Sequence, residues 1–182
     1  MGTRSLLNRT SQKKRDTMLS YTNMFESGVN PDLFITTDAI IRAEAGTTVI
    51  GWMPSARPAE SSTGQKGSKI DSMVRTATTI YAVGTKEKII LKTNGPTAWE
   101  WRRITFQVKA FFDTLDPESS TYFRRTASNG MVRLVTPLGN PDIYAPLFRG
   151  QRNVDWISEM NAPVDTTKVD LKSDVRRTIK SG

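Results

Sequence analysis

The string Trp99-Glu100-Trp101-Arg102-Arg103-Ile104-Thr105-Phe106-Gln107-Val108-Lys109-Ala110 alternates. Ile104, Phe106, Val108 and Ala110 fall on one side of an extended chain, and Trp101, Arg103, Thr105, Gln107 and Lys109 on the other. Successive side chains of a strand point to opposite faces, so the pattern predicts a strand with one core face and one polar face.

The same period recurs towards the C-terminus. Val169, Leu171, Val175 and Ile179 are in phase, opposed by Lys168, Asp170, Lys172, Asp174, Arg176 and Lys180. Between these two stretches, residues 121–126 and 131–136 flank a Ser128-Asn129-Gly130 turn and read as a hairpin that stops at Pro137. Upstream, residues 17–25 and 47–53 have strand composition, the latter ending at Pro54. Residues 76–83 lead through Gly84-Thr85 into 86–93 as a second expected hairpin, closed by Asn94-Gly95-Pro96. Residues 54–69 have loop composition. No sustained helical stripe occurs, although 32–44 and 154–160 could each form a turn or two. Many short strands joined by Gly/Pro loops predict an all-β fold: a sandwich, a jelly roll or a barrel.

At 182 residues one domain is the expectation, with residues 1–16 as a separate basic arm and 17–182 as the folded domain. The arm carries Arg4, Arg9, Lys13, Lys14 and Arg15 against Asp16 alone. With so little apolar surface it is expected to stay mobile until it meets an anion. The net charge of +8 points to a polyanionic partner, since Lys and Arg gain by neutralising phosphates and releasing counterions. Gln12-Lys13-Lys14-Arg15 also has the pattern of a short nuclear-import address, which would bring in host import machinery.

The chain has no Cys and no His, which excludes disulfide scaffolds, thiol nucleophiles, Cys/His zinc sites and the commonest general base. No apolar run is long enough to span a bilayer, and no membrane partner is expected. Gly64-Gln65-Lys66-Gly67-Ser68-Lys69 misses the GxxxxGK[ST] spacing that wraps a triphosphate, and reads as an exposed loop. Asp113, Asp116 and Glu118, and again Asp165, Asp170 and Asp174, could hold a divalent cation or act as an acid/base pair. Turn residues and a face alternating with Lys and Arg account for them better, so no catalytic residue, metal or cofactor is expected. Trp99, Trp101, Arg102 and Arg103 could stack on unpaired bases and grip phosphates, or equally form a subunit contact or a cation–π pair inside a sheet. Arg124-Arg125 and Arg176-Arg177 pose the same choice.

Four strings in order resemble genomovirus (gemycircularvirus-like) capsid proteins, which are related to geminivirus coat proteins. They are Lys13-Lys14-Arg15-Asp16-Thr17-Met18-Leu19; Trp99-Glu100-Trp101-Arg102-Arg103-Ile104-Thr105-Phe106; Leu147-Phe148-Arg149-Gly150 with Val154-Asp155-Trp156; and Val164-Asp165-Thr166 leading to Arg176-Arg177-Thr178-Ile179-Lys180-Ser181-Gly182. The resemblance implies one jelly-roll domain, self-assembly into a T=1 icosahedral shell, packaging of a circular single-stranded DNA genome, and residence in the virion and the host nucleus. It implies a genome-facing arm at Arg4, Arg9, Lys13, Lys14 and Arg15, with Arg102 and Arg103 as further contacts. Members of the family begin with a longer, denser basic arm and continue past the Thr-Ile-x-Ser-Gly string. The chain is therefore expected to be either a trimmed or processed product lacking the last strands, or a short relative whose sandwich is completed by a neighbouring subunit. Thr105 stands where relatives often carry Cys. The alternatives are a monomeric single-stranded nucleic-acid-binding or movement-type viral protein, and a magnesium nuclease built on Asp and Glu.

Overall fold

The computed structural model describes residues 3–61, 64–77, 80–108, 120–128, 130–139 and 143–180. Lys109, Ala110, Asp113, Asp116 and Glu118 from the sequence reading lie outside them, as do Thr78, Thr79 and Asn129. Among the described residues the regular structure is predominantly strand, with one three-stranded and two two-stranded sheets, and the class is all-β.

The chain forms two compact units, Met1–Ile41 with Ile50–Thr85 and Asp116–Pro137, and Arg42–Val49 with Lys86–Leu115 and Leu138–Gly182. Each is assembled from segments far apart in sequence. No linker of distinctive composition marks the division, which is why the sequence shows no seam.

In the first unit, helix α1 (Thr3–Thr10) occupies part of the segment expected to remain unstructured. Leu and Arg are good helix formers, and Arg9 in the last turn faces the negative end of the helix dipole. Leu6 on this helix is 52% exposed. Strands β1 (Ser20–Thr22) and β2 (Met24–Phe25) fall within the 17–25 stretch, and β2 turns back onto β3 (Gly28–Val29). The break between β1 and β2 is fixed by the buried Thr22 hydroxyl, which donates to the Val135 carbonyl at 2.8 Å and accepts from the Met24 N–H at 3.1 Å.

The hairpin expected around Ser128-Asn129-Gly130 forms, with β5 (Phe123–Thr126) antiparallel to β6 (Gly130–Val135). Gly130 has φ 62°, a left-handed conformation that a side chain would strain. Strand β6 is central, paired in parallel with β1 on its other side. Its Val132 and Leu134 are fully buried, and Tyr122, Phe123, Met131 and Met24 are also core residues of this unit.

The second unit brings together the two stretches with the clearest alternation. Strand β4 (Trp99–Gln107) pairs antiparallel with β7 (Asp170–Ile179), from Trp99 opposite Ile179 to Gln107 opposite Asp170. A register shift between Thr105 and Phe106 sets Phe106 opposite Leu171. That bulge keeps two apolar residues together where the strict period would have separated them. Ile104, Phe106 and Val108 pack against a cluster of Leu147, Phe148, Trp156, Ala162 and Val169. Leu147 ends the short helix α2 (Tyr144–Leu147), and Tyr144, Phe148 and Trp156 meet with ring centroids 5.1–5.7 Å apart in tilted and edge-on arrangements.

The turn after this cluster depends on Gly150, at φ 78°, where a Cβ would lie 2.5 Å from Asp155 Oδ2. Asp155 accepts the Gln151 N–H at 2.7 Å, so it cannot withdraw without losing that bond. Gly150→Ala is expected to cost at least about 1–2 kcal/mol from the left-handed conformation alone, measurable as a lowered midpoint in urea.

Two expected strand regions differ. Residues 47–53 form no strand; the chain passes from one unit to the other at Val49 and Ile50. The hairpin expected over 76–93 is absent among the described residues, and the unit boundary falls at Thr85 and Lys86, within its turn. Tyr81, Val83 and Ile90 are 66%, 76% and 71% exposed. β-Branched and aromatic composition favours a strand only where there is a partner to pair with and a surface to cover. The helical readings reduce to a single 3₁₀ turn at Ala43–Ala45 and to isolated turns within 154–160.

Candidate nucleic-acid interface

The arm cations differ in what they touch. Arg4 lies in α1, and Arg9 in its last turn is exposed. Lys13 and Arg15 are exposed as well. Lys14 is not presented in the same way, since its ammonium donates to the backbone carbonyls of Ser68, Asp71 and Val74. Asp16, the one acid of the segment, pairs with Arg57 at 3.3 Å. Burial pulls the Arg57 guanidinium below its ordinary range, an effect partly opposed by the Asp16 charge.

Arg102 and Arg103 are neighbours with opposite roles. Arg102 stands on the core face of β4, its side chain 4% exposed, and its Nε and Nη2 fork onto the two oxygens of Asp174 at 2.9 and 2.7 Å. Its Nη1 donates to the Glu159 carbonyl and, at 2.8 Å, to the Ala162 carbonyl, while the guanidinium lies 5.6 Å from the Phe148 ring centre. A phosphate at Arg102 would have to displace Asp174 and strip two carbonyls of their donor. Arg103, on the other face and 42% exposed, meets Glu87 at 2.7 Å.

That other face places Trp101 opposite Arg177 and Trp99 opposite Ile179, with both tryptophans half-buried. Arg177 is exposed. Arg176 donates to the Met160 carbonyl at 3.0 Å and flanks a cleft of about 180 Å³ lined by Glu100, Met160, Asn161, Arg176, Arg177 and Thr178. Arg124 covers the Phe34 ring at 4.4 Å and Arg133 the Trp52 ring at 4.8 Å, cation–π contacts within the first unit.

Among the described residues the candidate carboxylates are dispersed. Asp165 closes a turn by accepting the Thr167 hydroxyl at 2.6 Å and the Thr167 N–H at 3.1 Å, and the hydroxyl bond chiefly holds its pKa below the usual range. Asp170 pairs with Lys172 and Asp174 with Arg102. Among the described residues no three His, Cys, Asp or Glu side chains are grouped to hold a metal ion. Glu159, which nothing in the sequence singled out, is buried and takes the Tyr144 hydroxyl at 2.9 Å and Arg152 at 3.1 Å. Burial and the bond to Glu159 push the Tyr144 phenol well above its ordinary range.

The Arg102 fork is the main cause of the lowered Asp174 pKa, outweighing a desolvation effect of opposite sign. A carboxylate whose folded pKa is depressed contributes stability that is complete above its unfolded pKa near 4 and is lost as pH falls through the lower folded value. Asp174→Asn should therefore flatten the acid limb of the melting-temperature profile below about pH 5. An acid limb as steep as that of the unmodified chain would remove Asp174 from the account.

No family model, no curated protein and no solved structure matches the chain. Among the described residues no helix is long and apolar enough to cross a membrane.

Proposed function

We propose that the chain is a structural capsid subunit of jelly-roll type, which assembles into a T=1 shell and packages circular single-stranded DNA. The observation that carries this reading is a cationic N-terminal segment, exposed at Arg9, Lys13 and Arg15, attached to an all-β body with open strand edges. Among the described residues β4 and β7 pair only with each other, over nine and ten residues. Long unpaired edges invite pairing with another chain, and a subunit of a closed shell satisfies them against its neighbours. The exposed Tyr81, Val83 and Ile90 suit a surface that is covered on assembly. The arm would lie on the genome, and delivery to the nucleus would follow from the Lys13-Lys14-Arg15 cluster.

Negative-stain imaging of the purified protein, combined with the mass of the subunit, tests the reading. Closed shells of uniform size are expected. A monomer of 20.3 kDa at all concentrations would overturn it. It would favour instead a monomeric single-strand-binding or movement-type protein that uses the face presenting Trp101 and Arg103.

A further inference from the structure

Residues 54–69 have loop composition, yet the described residues between 58 and 75 are tied to one another. Arg75 N–H donates to the Pro58 carbonyl at 2.8 Å, Gly67 N–H to Ala59 at 3.1 Å and Ser61 N–H to Gln65 at 2.8 Å. The chain closes tightly enough that a Cβ on Gly67 would lie 2.3 Å from the Arg75 carbonyl oxygen. Apolar burial does little to hold the loop, since Val74 is buried but Ile70 is 96% exposed.

At its centre is an ammonium from elsewhere in the chain. Lys14 Nζ donates to the carbonyls of Ser68 at 2.6 Å, Asp71 at 2.6 Å and Val74 at 2.7 Å, and Gln12 Nε2 donates to Lys69 at 2.7 Å. A primary ammonium has three N–H donors and no acceptor, so three converging carbonyls satisfy it completely. Among the described residues no backbone N–H reaches the Ser68, Asp71 or Val74 carbonyl. Without Lys14 these oxygens would lose a charge-assisted partner.

We infer that the segment 68–74 forms a primary-ammonium site from the backbone carbonyls of Ser68, Asp71 and Val74, which the chain fills with its own Lys14. The site anchors the basic segment from within its cationic cluster: Lys13 and Arg15 stay exposed on either side while Lys14 holds the loop closed. An arginine cannot take over this role, because its planar fork directs its donors differently from a compact ammonium.

Limited trypsin digestion of the full chain, followed by mass spectrometry of cleavage after Lys66 and Lys69, reads loop closure directly. Lys14→Ala and Lys14→Arg are both expected to raise cleavage there at least tenfold over the unmodified chain. Methylammonium chloride should slow the cleavage of Lys14→Ala towards the unmodified rate, and tetramethylammonium chloride at equal ionic strength should not. If Lys14→Ala does not yield folded protein, Lys14→Met keeps the aliphatic stem and gives the same reading. Cleavage unchanged by these substitutions, or protection that is equal for the two salts, overturns the site.

Discussion

Arg102→Met should lower the stability of the second unit by about 3–5 kcal/mol, the range for removing one partner of a buried ion pair. The Arg102 side chain is 4% exposed and Asp174 21%, so the carboxylate keeps partial access to water and is the lesser part of the loss. The larger part lies with the carbonyls of Glu159 and Ala162, in residues 7% and 0% exposed, which would each lose a charged donor. Such unsatisfied groups cost about 1–3 kcal/mol apiece. Arg102→Lys should recover only part of the difference, since a single ammonium cannot fork onto Asp174 and reach both carbonyls. Lys172→Ala, which breaks a surface pair with Asp170, should cost no more than about 1 kcal/mol and serves as the control. Urea unfolding followed by tryptophan fluorescence would check all three. If Arg102→Met matches Lys172→Ala, Arg102 is not the pin that joins β4 and β7 to the segment carrying Glu159 and Ala162.

This arginine also marks where reading the sequence reaches its limit. Alternation at residues 99–110 and 168–180 revealed two strands, because period two depends only on which side chains are apolar. The pairing of those strands, and the bulge that sets Phe106 opposite Leu171, are properties of two segments at once and leave no local pattern. The Ser128-Asn129-Gly130 hairpin was legible for the opposite reason, since its turn chemistry is local and Gly130 supplies the positive φ. Residues 76–93 have strand composition without a ladder among the described residues, because composition states only a preference that a pairing partner must complete. Arg102 and Lys14 read as generic cations because their acceptors are largely main-chain carbonyls, which every residue possesses and no sequence motif announces. The same blindness hid Glu159, whose partners Tyr144 and Arg152 are gathered by the fold around Trp156.

Lys14 changes the expected salt dependence of DNA binding. Five arm cations each neutralising a phosphate would give a slope of log affinity against log salt of about −3.5, at about −0.7 per contact on a single strand. With Lys14 held by three carbonyls, four contacts remain at Arg4, Arg9, Lys13 and Arg15, and the expected slope is about −2.8. That corresponds to roughly a fiftyfold loss of affinity between 50 and 200 mM salt. Replacing those four residues by Gln while keeping Lys14 should bring the slope close to zero without opening loop 58–75. Fluorescence anisotropy with an oligothymidylate across a salt series measures both quantities. A slope of −3.5 in the unmodified chain would mean that DNA draws Lys14 out of its cage. An unchanged slope in the fourfold variant would remove the arm from the interface and transfer binding to the face of β4 and β7 that carries Trp101, Arg103 and Arg177.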